Sequence, residues 1–400
     1  MKNSGIEWIG DIPDDWEVKR LKDVVISMNS GGTPTSSDES FYSDNGTPWV
    51  IIADMKTDLV FDTQKKLTEK GLADKKLHVY PQGTILYAMY ASVGKVSELK
   101  IDAAVNQAIL AIIVDKYSTN NTFFKYCLKA YEQFVAAESN GNTQYNLNAY
   151  KVSNFSFAFC YLSMQEIIAE FLDKKCAAVD RLIENQSKQI EKLKEYKQSV
   201  ITEAVTKGLN PSVPMKDSGL KIGVIPTHWK IIQFKFVAKL SNGKEVTSDS
   251  GDIPVYGSGG VFKYTNDYLF NGVSLLMGRK GTIDNPMLVN GKFWTVDTMF
   301  YTSEIKRLLP KFLYYLAKSV LDYGYYKSGS VLPSMTQTEI NNIRLTYPPI
   351  EEQQQIADYL DKKCEKIDKL IAIKQQKIEK LNEYKKSLIY EYVTGKKEVV

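Results

Sequence analysis

Apolar residues recur along two stretches of the chain with steps that alternate between four and three. The first series is Leu172, Cys176, Val179, Ile183, Ile190, Leu193 and Val200, and the second is Leu360, Cys364, Ile367, Ile371, Ile378, Leu381 and Leu388. This is a heptad seam, and it predicts two helices of about 40 residues each, about 60 Å long at about 1.5 Å per residue. Lys, Glu and Gln fill the other faces. Each series misses one apolar position, at Gln186 in the first and Lys374 in the second. A polar residue there either fixes register or marks a tolerated slip toward solvent. An isolated helix of this kind must bury its seam, and its copy in the same chain is the nearest partner. The two are expected to pair antiparallel, because each is preceded by its own folded region. That arrangement places the two regions at opposite ends of a stiff rod.

Outside the seams the pattern is mixed. Short β-branched and aromatic runs predict strands at WVIIADM (residues 49–55), GTILYAM (83–89), AILAIIV (108–114) and FSFAF (155–159). Further strands are predicted at VSLLMG (273–278), FWTVDTMFYT (293–302) and IRLTY (343–347). Helices are predicted over 122–138 and 310–322, the second with Pro310 at a permitted first-turn position.

The two halves are copies. QEIIAEFLDKKCAAVDRLIENQSKQIEKLKEYKQSVITEAVT, from Gln165, falls on QQQIADYLDKKCEKIDKLIAIKQQKIEKLNEYKKSLIYEYVT, from Gln353, with no gap at an offset of 188. The same offset sets TFFKYCLKAY (from Thr122) on PKFLYYLAKS (from Pro310). A second repeated piece opens each half: SGIEWIGDIPDDW (Ser4 to Trp16) resembles SGLKIGVIPTHW (Ser218 to Trp229). Similar edges therefore enclose interiors that differ in length and sequence. Two long copies predict a pseudo-two-fold, two-lobed α+β molecule rather than a solenoid of short repeats.

Composition narrows the class without naming a function. No apolar run reaches the roughly 18 residues that span a bilayer, and MKNSGIEW lacks a signal-peptide core, so a cytoplasmic protein is expected. Cys127, Cys160, Cys176 and Cys364 form no CxxC pair, which argues against a zinc site or a disulfide framework. A net charge of +4 permits a polyanionic partner without requiring one.

Catalytic constellations are missing. There is no Walker loop, and YGSGGVF at Tyr256 lacks the third glycine of a dinucleotide fingerprint. Asn285-Pro286-Met287 falls short of an adenine-methyltransferase motif. His78 and His228 stand alone. The carboxylate–lysine fragments at Asp14, Glu17 and Lys19 and at Glu98 and Lys100 lack the partners a metal nuclease needs.

Two variable lobes, each opened by an SGIEWIGxIPxxW-like element and closed by PxxEQxxIAxxLDxK and a long helix, resemble the specificity subunit of type I restriction–modification systems. Pro349 to Asp361 matches the closing signature; the first copy, Leu162 to Asp173, lacks its Pro. The resemblance implies two mixed α/β target-recognition domains separated by an antiparallel coiled coil with an internal pseudo-two-fold repeat. It divides the chain into a first recognition domain (1–161), a first helix (162–207), a linker (208–217), a second recognition domain (218–348) and a second helix with a tail (349–400).

The family implies a non-catalytic subunit. Each lobe reads half of an asymmetric, split double-stranded DNA site; the helical rod sets the unread gap, and lobes on one face of the duplex sit about one helical turn apart, near 10 bp centre to centre. Partners would be two methyltransferase subunits and the restriction translocase subunits, with no membrane. S-adenosylmethionine, magnesium and ATP would sit only on those partners. DNA contacts are expected from Tyr90, Ser92, Lys95, Asn142, Thr143, Gln144 and Tyr145 in the first lobe. In the second they are expected from Ser258, Arg279, Lys280, Thr282, Lys327, Ser328 and Ser330. Arg279 suits guanine, Asn142 or Gln144 adenine, and the lysines phosphate. The alternative is a scaffold whose coiled coil joins two protein-binding lobes.

Overall fold

A computed structural model describes residues 1–90, 92–139, 147–246, 250–319 and 334–399. The chain forms two compact units, one of Met1–Asn185 with Lys377–Val400, the other of Gln186–Gln376. The heptad stretches are continuous helices, Leu162–Lys207 and Ile350–Val393, and each contributes a segment to both units.

In the first unit a five-stranded sheet runs in the order Val25–Ser30, Ile109–Val114, Ile85–Ala88, Val96–Leu99, Leu59–Val60. The central apolar runs are buried on both faces, as strand alternation requires. Ile85, Tyr87, Leu110 and Ile112 meet Phe123, Phe124 and Leu128 of the helix Asn121–Ser139. Leu86, Ala88, Ile109 and Ala111 meet Val50, Met55 and Tyr80 on the other side. A three-stranded sheet places Tyr42–Val50 between Ala104–Val105 (parallel) and Lys65–Leu67 (antiparallel). Glu17–Arg20 and Ser156–Phe159 then pair antiparallel.

The second unit repeats this plan. Ala238–Asn242, Met299–Ile305, Ser274–Gly278 and Met287–Val289 form the main sheet in that order. Gly260–Thr265, Ile253–Gly257, Lys292–Thr295 and Phe270–Asn271 form the other, again with one parallel pair. Lys230–Gln233 pairs with Arg344–Tyr347.

Two strand expectations change. The run from Trp49 leaves the sheet after Val50 and turns through Ile52–Asp54, because the Asp54 carboxylate accepts from the Ile51 and Gln64 N–H groups at 2.9 and 3.1 Å. The single strand expected over 293–302 is two strands in different sheets. The chain turns at Val296, whose carbonyl accepts from Met299 N–H at 3.0 Å.

The offset of the lobe helices also needs correction. Phe123, Phe124, Tyr126, Cys127 and Leu128 are buried, and so are Phe312, Leu313, Tyr315, Leu316 and Ala317. The structural offset is therefore 189, not 188. Tyr126 donates to Asp173 at 2.7 Å and Tyr315 to Asp361 at 2.8 Å, which anchors the same correspondence. A one-residue slip turns a helix by about 100°, so burial discriminates where letter matching did not.

Each long helix is entered through a buried glutamine. Gln165 accepts from Asn120 N–H (2.9 Å) and donates to the carbonyls of Ser118 and Cys160 (3.2 and 2.8 Å). Gln353 accepts from Leu309 N–H (2.7 Å) and donates to Arg307 and Pro348 (3.2 and 2.9 Å). One amide thereby satisfies three backbone groups where lobe, strand and helix converge. The helices stop at Gly208 and Gly395, with φ of +76° and +67° that favour glycine.

The opening motifs cap the long helices out of sequence order. In the first unit Tyr390 donates to the Trp8 carbonyl at 3.0 Å, and a Cβ on Gly395 would lie 2.4 Å from Pro13. In the second, Trp229 is fully buried with Ile201, Ala204 and Val205. Each opening motif packs on the end of the helix that follows the other lobe. Met215–Asp217, inside the expected linker, pairs with Val224–Pro226 as part of that motif.

The long helices pack antiparallel in each unit. In the first, Phe171 meets Tyr392 (ring centroids 4.5 Å apart) and Lys385 meets Asp180 at 2.7 Å. In the second, Lys197 meets Asp368 at 2.7 Å and Lys374 contacts Gln189. Asp180 and Asp368, and likewise Lys197 and Lys385, are 188 residues apart, so one ion pair occurs twice. Such exposed pairs contribute at most about 1 kcal/mol. The seam carries more: Leu172 and Leu360 are fully buried, each contributing roughly 1.5–3 kcal/mol, and the remaining seam positions are buried or half-buried. The two interruptions meet each other. Gln186 is 8% exposed, and its amide oxygen lies 3.5 Å from Lys374 Nζ.

That meeting supports the register reading of the interruption. Gln186→Leu combined with Lys374→Leu is expected to raise unfolding free energy by about 1–3 kcal/mol while permitting additional oligomeric species. Urea titration and analytical ultracentrifugation measure the two effects. A single species of lower stability would remove the register role.

Candidate nucleic-acid interface

The loops that join the main-sheet strands carry the expected contact residues. In the first unit the connection from Ile85–Ala88 to Val96–Leu99 holds Tyr90, Ser92 and Lys95. Tyr90 is 39% exposed. Ser92 adopts φ +89°, a left-handed conformation uncommon outside glycine, and its carbonyl accepts from Lys95 N–H at 3.1 Å. Lys95 is half-buried; its ammonium donates to the Lys56 carbonyl at 3.4 Å and faces Glu132. Tyr90 and Ser92 are therefore presented outward, while Lys95 turns back along the loop. Asn142, Thr143, Gln144 and Tyr145 lie outside the described residues.

In the second unit the matching connection runs from Gly278 to Met287. Arg279 is half-buried. Its guanidinium donates to the Asp297 carbonyl at 3.4 Å and sits 5.9 Å over the Phe300 ring, which fixes its direction. Its backbone N–H donates to Thr298 and its carbonyl accepts from Met335. Lys280 bridges to Ser334, and Lys280 and Thr282 are exposed. Ser258 sits at the tip between Ile253–Gly257 and Gly260–Thr265, and its carbonyl accepts from Asn285 Nδ2 at 3.2 Å. Asn285 thus ties the Ser258 turn to the Arg279 loop. In the sequence Asn285 stands out only as the start of an Asn-Pro-Met fragment short of a methyltransferase motif, which gives no sign of this contact. Lys327, Ser328 and Ser330 lie outside the described residues.

Several other lysines are engaged internally. Glu98 is buried and accepts from Lys125 at 2.6 Å and Lys100 at 2.5 Å. Lys129 pairs with Asp58. The carboxylate–lysine fragment at Glu98 is thus a structural ion cluster between strand and helix. His228 lies 2.6 Å from Glu352, which also accepts from the Trp229 indole at 2.9 Å, a tie between opening motif and helix. The cysteines are buried, and desolvation pushes each thiol above its ordinary value. Among the described residues no group of three or more His, Cys, Asp or Glu is placed to hold a metal ion. None of the described helices is long and apolar enough to cross a membrane.

Two lobes that share a sheet plan and differ at the sheet edges, each presenting polar loop residues at matched strand ends, define a doubled module. The family model for the type I restriction modification DNA specificity domain matches residues 13–194 and again 226–383. The chain belongs to that family and carries its domain twice. It is similar to the type I restriction enzyme MjaVIII specificity subunit of Methanocaldococcus jannaschii, at 24% identity over 96% of this chain and 93% of the relative. The MjaIX specificity subunit of the same organism is 23% identical over 85% of each chain. A chain solved in work on complex assembly and conformational transition of the type I R-M system shares the fold. Its TM-score is 0.72 at 13% identity, over 96% of this chain and 98% of the other.

The Glu98 cluster yields a pH prediction. Burial disfavours the charge on Glu98, but Lys100 and Lys125 outweigh it and hold the carboxyl below its ordinary 4.5. A depressed folded-state value means the cluster contributes stability above pH 4.5, lost as pH falls through the folded value. Glu98→Gln is expected to destabilise the protein at pH 7 and to flatten the decline in thermal midpoint between pH 5 and pH 3. An unaltered acid limb would remove Glu98 from acid sensitivity.

Proposed function

We propose that each lobe reads one half of an asymmetric, bipartite site on double-stranded DNA, and that the chain itself performs no chemistry. The carrying observation is the doubled family domain whose loops differ: Tyr90 and Ser92 in one lobe stand where Arg279 and Lys280 stand in the other. Unlike lobes on one chain match unlike half-sites, whereas a homodimer matches a palindrome. The repeated long helices present near-identical surfaces and offer docking for two methyltransferase subunits, with translocase subunits joining for restriction. S-adenosylmethionine, magnesium and ATP then belong to those subunits. Holding the flanking duplex assists the extrusion of the target base that adenine methylation requires.

Methylation-aware sequencing of DNA from cells expressing this chain with its partner subunits tests the proposal. The expected result is one asymmetric two-part motif. Palindromic or sequence-independent methylation would reject it. Within the second half-site, Arg279→Ala is expected to weaken binding by about 1–3 kcal/mol and to relax preference at one base pair. Unchanged affinity and preference would exclude Arg279 from base contact.

A further inference from the structure

The two lobes share a core sheet plan but not a charge. Residues 1–161 hold 16 Lys and Arg against 19 Asp and Glu, a net −3, whereas residues 218–348 hold 15 against 9, a net +6. The difference has a local counterpart on one matched sheet face. In the first lobe Trp49 lies in the ladder between Lys65 and Ala104. In the second Val255 lies between Lys263 and Trp294. Each indole donates to a backbone carbonyl, Trp49 to Gly32 at 3.2 Å and Trp294 to Lys244 at 2.8 Å. Gly31 and Gly243 precede those carbonyls, and a Cβ on either would collide with backbone at 1.6 and 2.0 Å. The indole has changed strands while the face is preserved.

Lys65 and Lys263 stand at matched positions, so one charge is kept, and the difference lies two residues before the parallel partner. Two residues before Ala104 stands Asp102, whose carboxylate accepts from Gln82 N–H at 2.8 Å. Two residues before Trp294 stands Lys292, 4.9 Å over the ring of Tyr268. Strand alternation puts Lys292 on the face of Trp294, and direct opposition across Val255 adds Lys263. Phe262 and Tyr268 are 58% and 50% exposed beside these lysines. Lys263 Nζ lies 5.9 Å over the Phe262 ring, so each of the two lysines stands against an exposed aromatic ring, a pairing suited to a polyanion with an apolar edge.

We infer that the second lobe is the electrostatic anchor of the chain on DNA, with Lys263 and Lys292 contacting phosphates, while the first lobe discriminates sequence with few phosphate contacts. The inference rests on the DNA reading proposed above. Phosphate contacts release counterions, so the anchor is visible as salt dependence.

The test uses the full chain assembled with its methyltransferase subunits and a duplex carrying the methylated motif. The slope of log K against log salt is measured by fluorescence anisotropy. Lys263→Gln with Lys292→Gln is expected to flatten the slope by about 1.8, and Lys65→Gln with Lys66→Gln by less than about 0.5. Lys292→Gln alone, expected to flatten it by about 0.9, serves if the double variant folds poorly. Equal flattening by both pairs overturns the anchor and leaves DNA reading standing, as does a steep wild-type slope untouched by the second-lobe pair. A flat wild-type slope removes the DNA reading itself.

Discussion

Burial of a heptad seam against its own copy is the constraint on which the rest of the molecule depends. Neither long helix has an apolar face wide enough to stand alone in water, and both find their partner in the other copy. Leu172 and Cys176 meet Leu388 and Ile389 in one unit, and Leu360 and Cys364 meet Ile201 in the other. The lobe helices and the closing strands are then docked onto these helices through Gln165, Gln353, Asp173 and Asp361, and the opening motifs through Tyr390 and Glu352. Removing the seam would remove the surface on which each lobe is assembled.

The doubling is physical as well as sequential. The same ion pair, the same buried glutamine with three backbone partners, and the same tyrosine-to-aspartate bond occur in each unit. The opening motif of each lobe seals the helix that follows the other lobe, so neither half of the chain completes its core from its own residues alone. Against this shared frame the loops at matched strand ends differ in sequence, Tyr90 and Ser92 standing in one unit where Arg279 and Lys280 stand in the other. The Trp49–Ala104 and Val255–Trp294 exchange shows how far the frame tolerates change: the indole switches strand, keeps its carbonyl acceptor and leaves the sheet order intact.

Lysines separate into two populations in this structure. Lys100, Lys125 and Lys129 are held by Glu98 and Asp58, and Lys197 and Lys385 bind across the helix pair. They serve folding, and their charge is not available to an external anion in full. Lys280 and Lys292 are exposed in the second lobe, where net charge is positive. Counting basic residues over the chain, at +4, conceals this division because the first lobe offsets the second.

The heptad steps and the unbroken 188-residue offset were enough to read the two long helices, their seam residues, the doubled plan and the family. These features repeat over forty residues and are set by local periodicity. Tertiary structure decided what depends on distant partners. The lobe-helix offset of 189 emerged only from which side of each helix is buried. The split of residues 293–302 into two strands depended on pairing with residues 253–257 and 274–278. Lys95 turns inward because Lys56 and Glu132 lie beside it, and Glu98 is a buried ion cluster because Lys125 reaches it from a helix 27 residues on. A side chain's environment is assembled by chain segments far apart in sequence, so residue type alone could nominate these groups but could not place them.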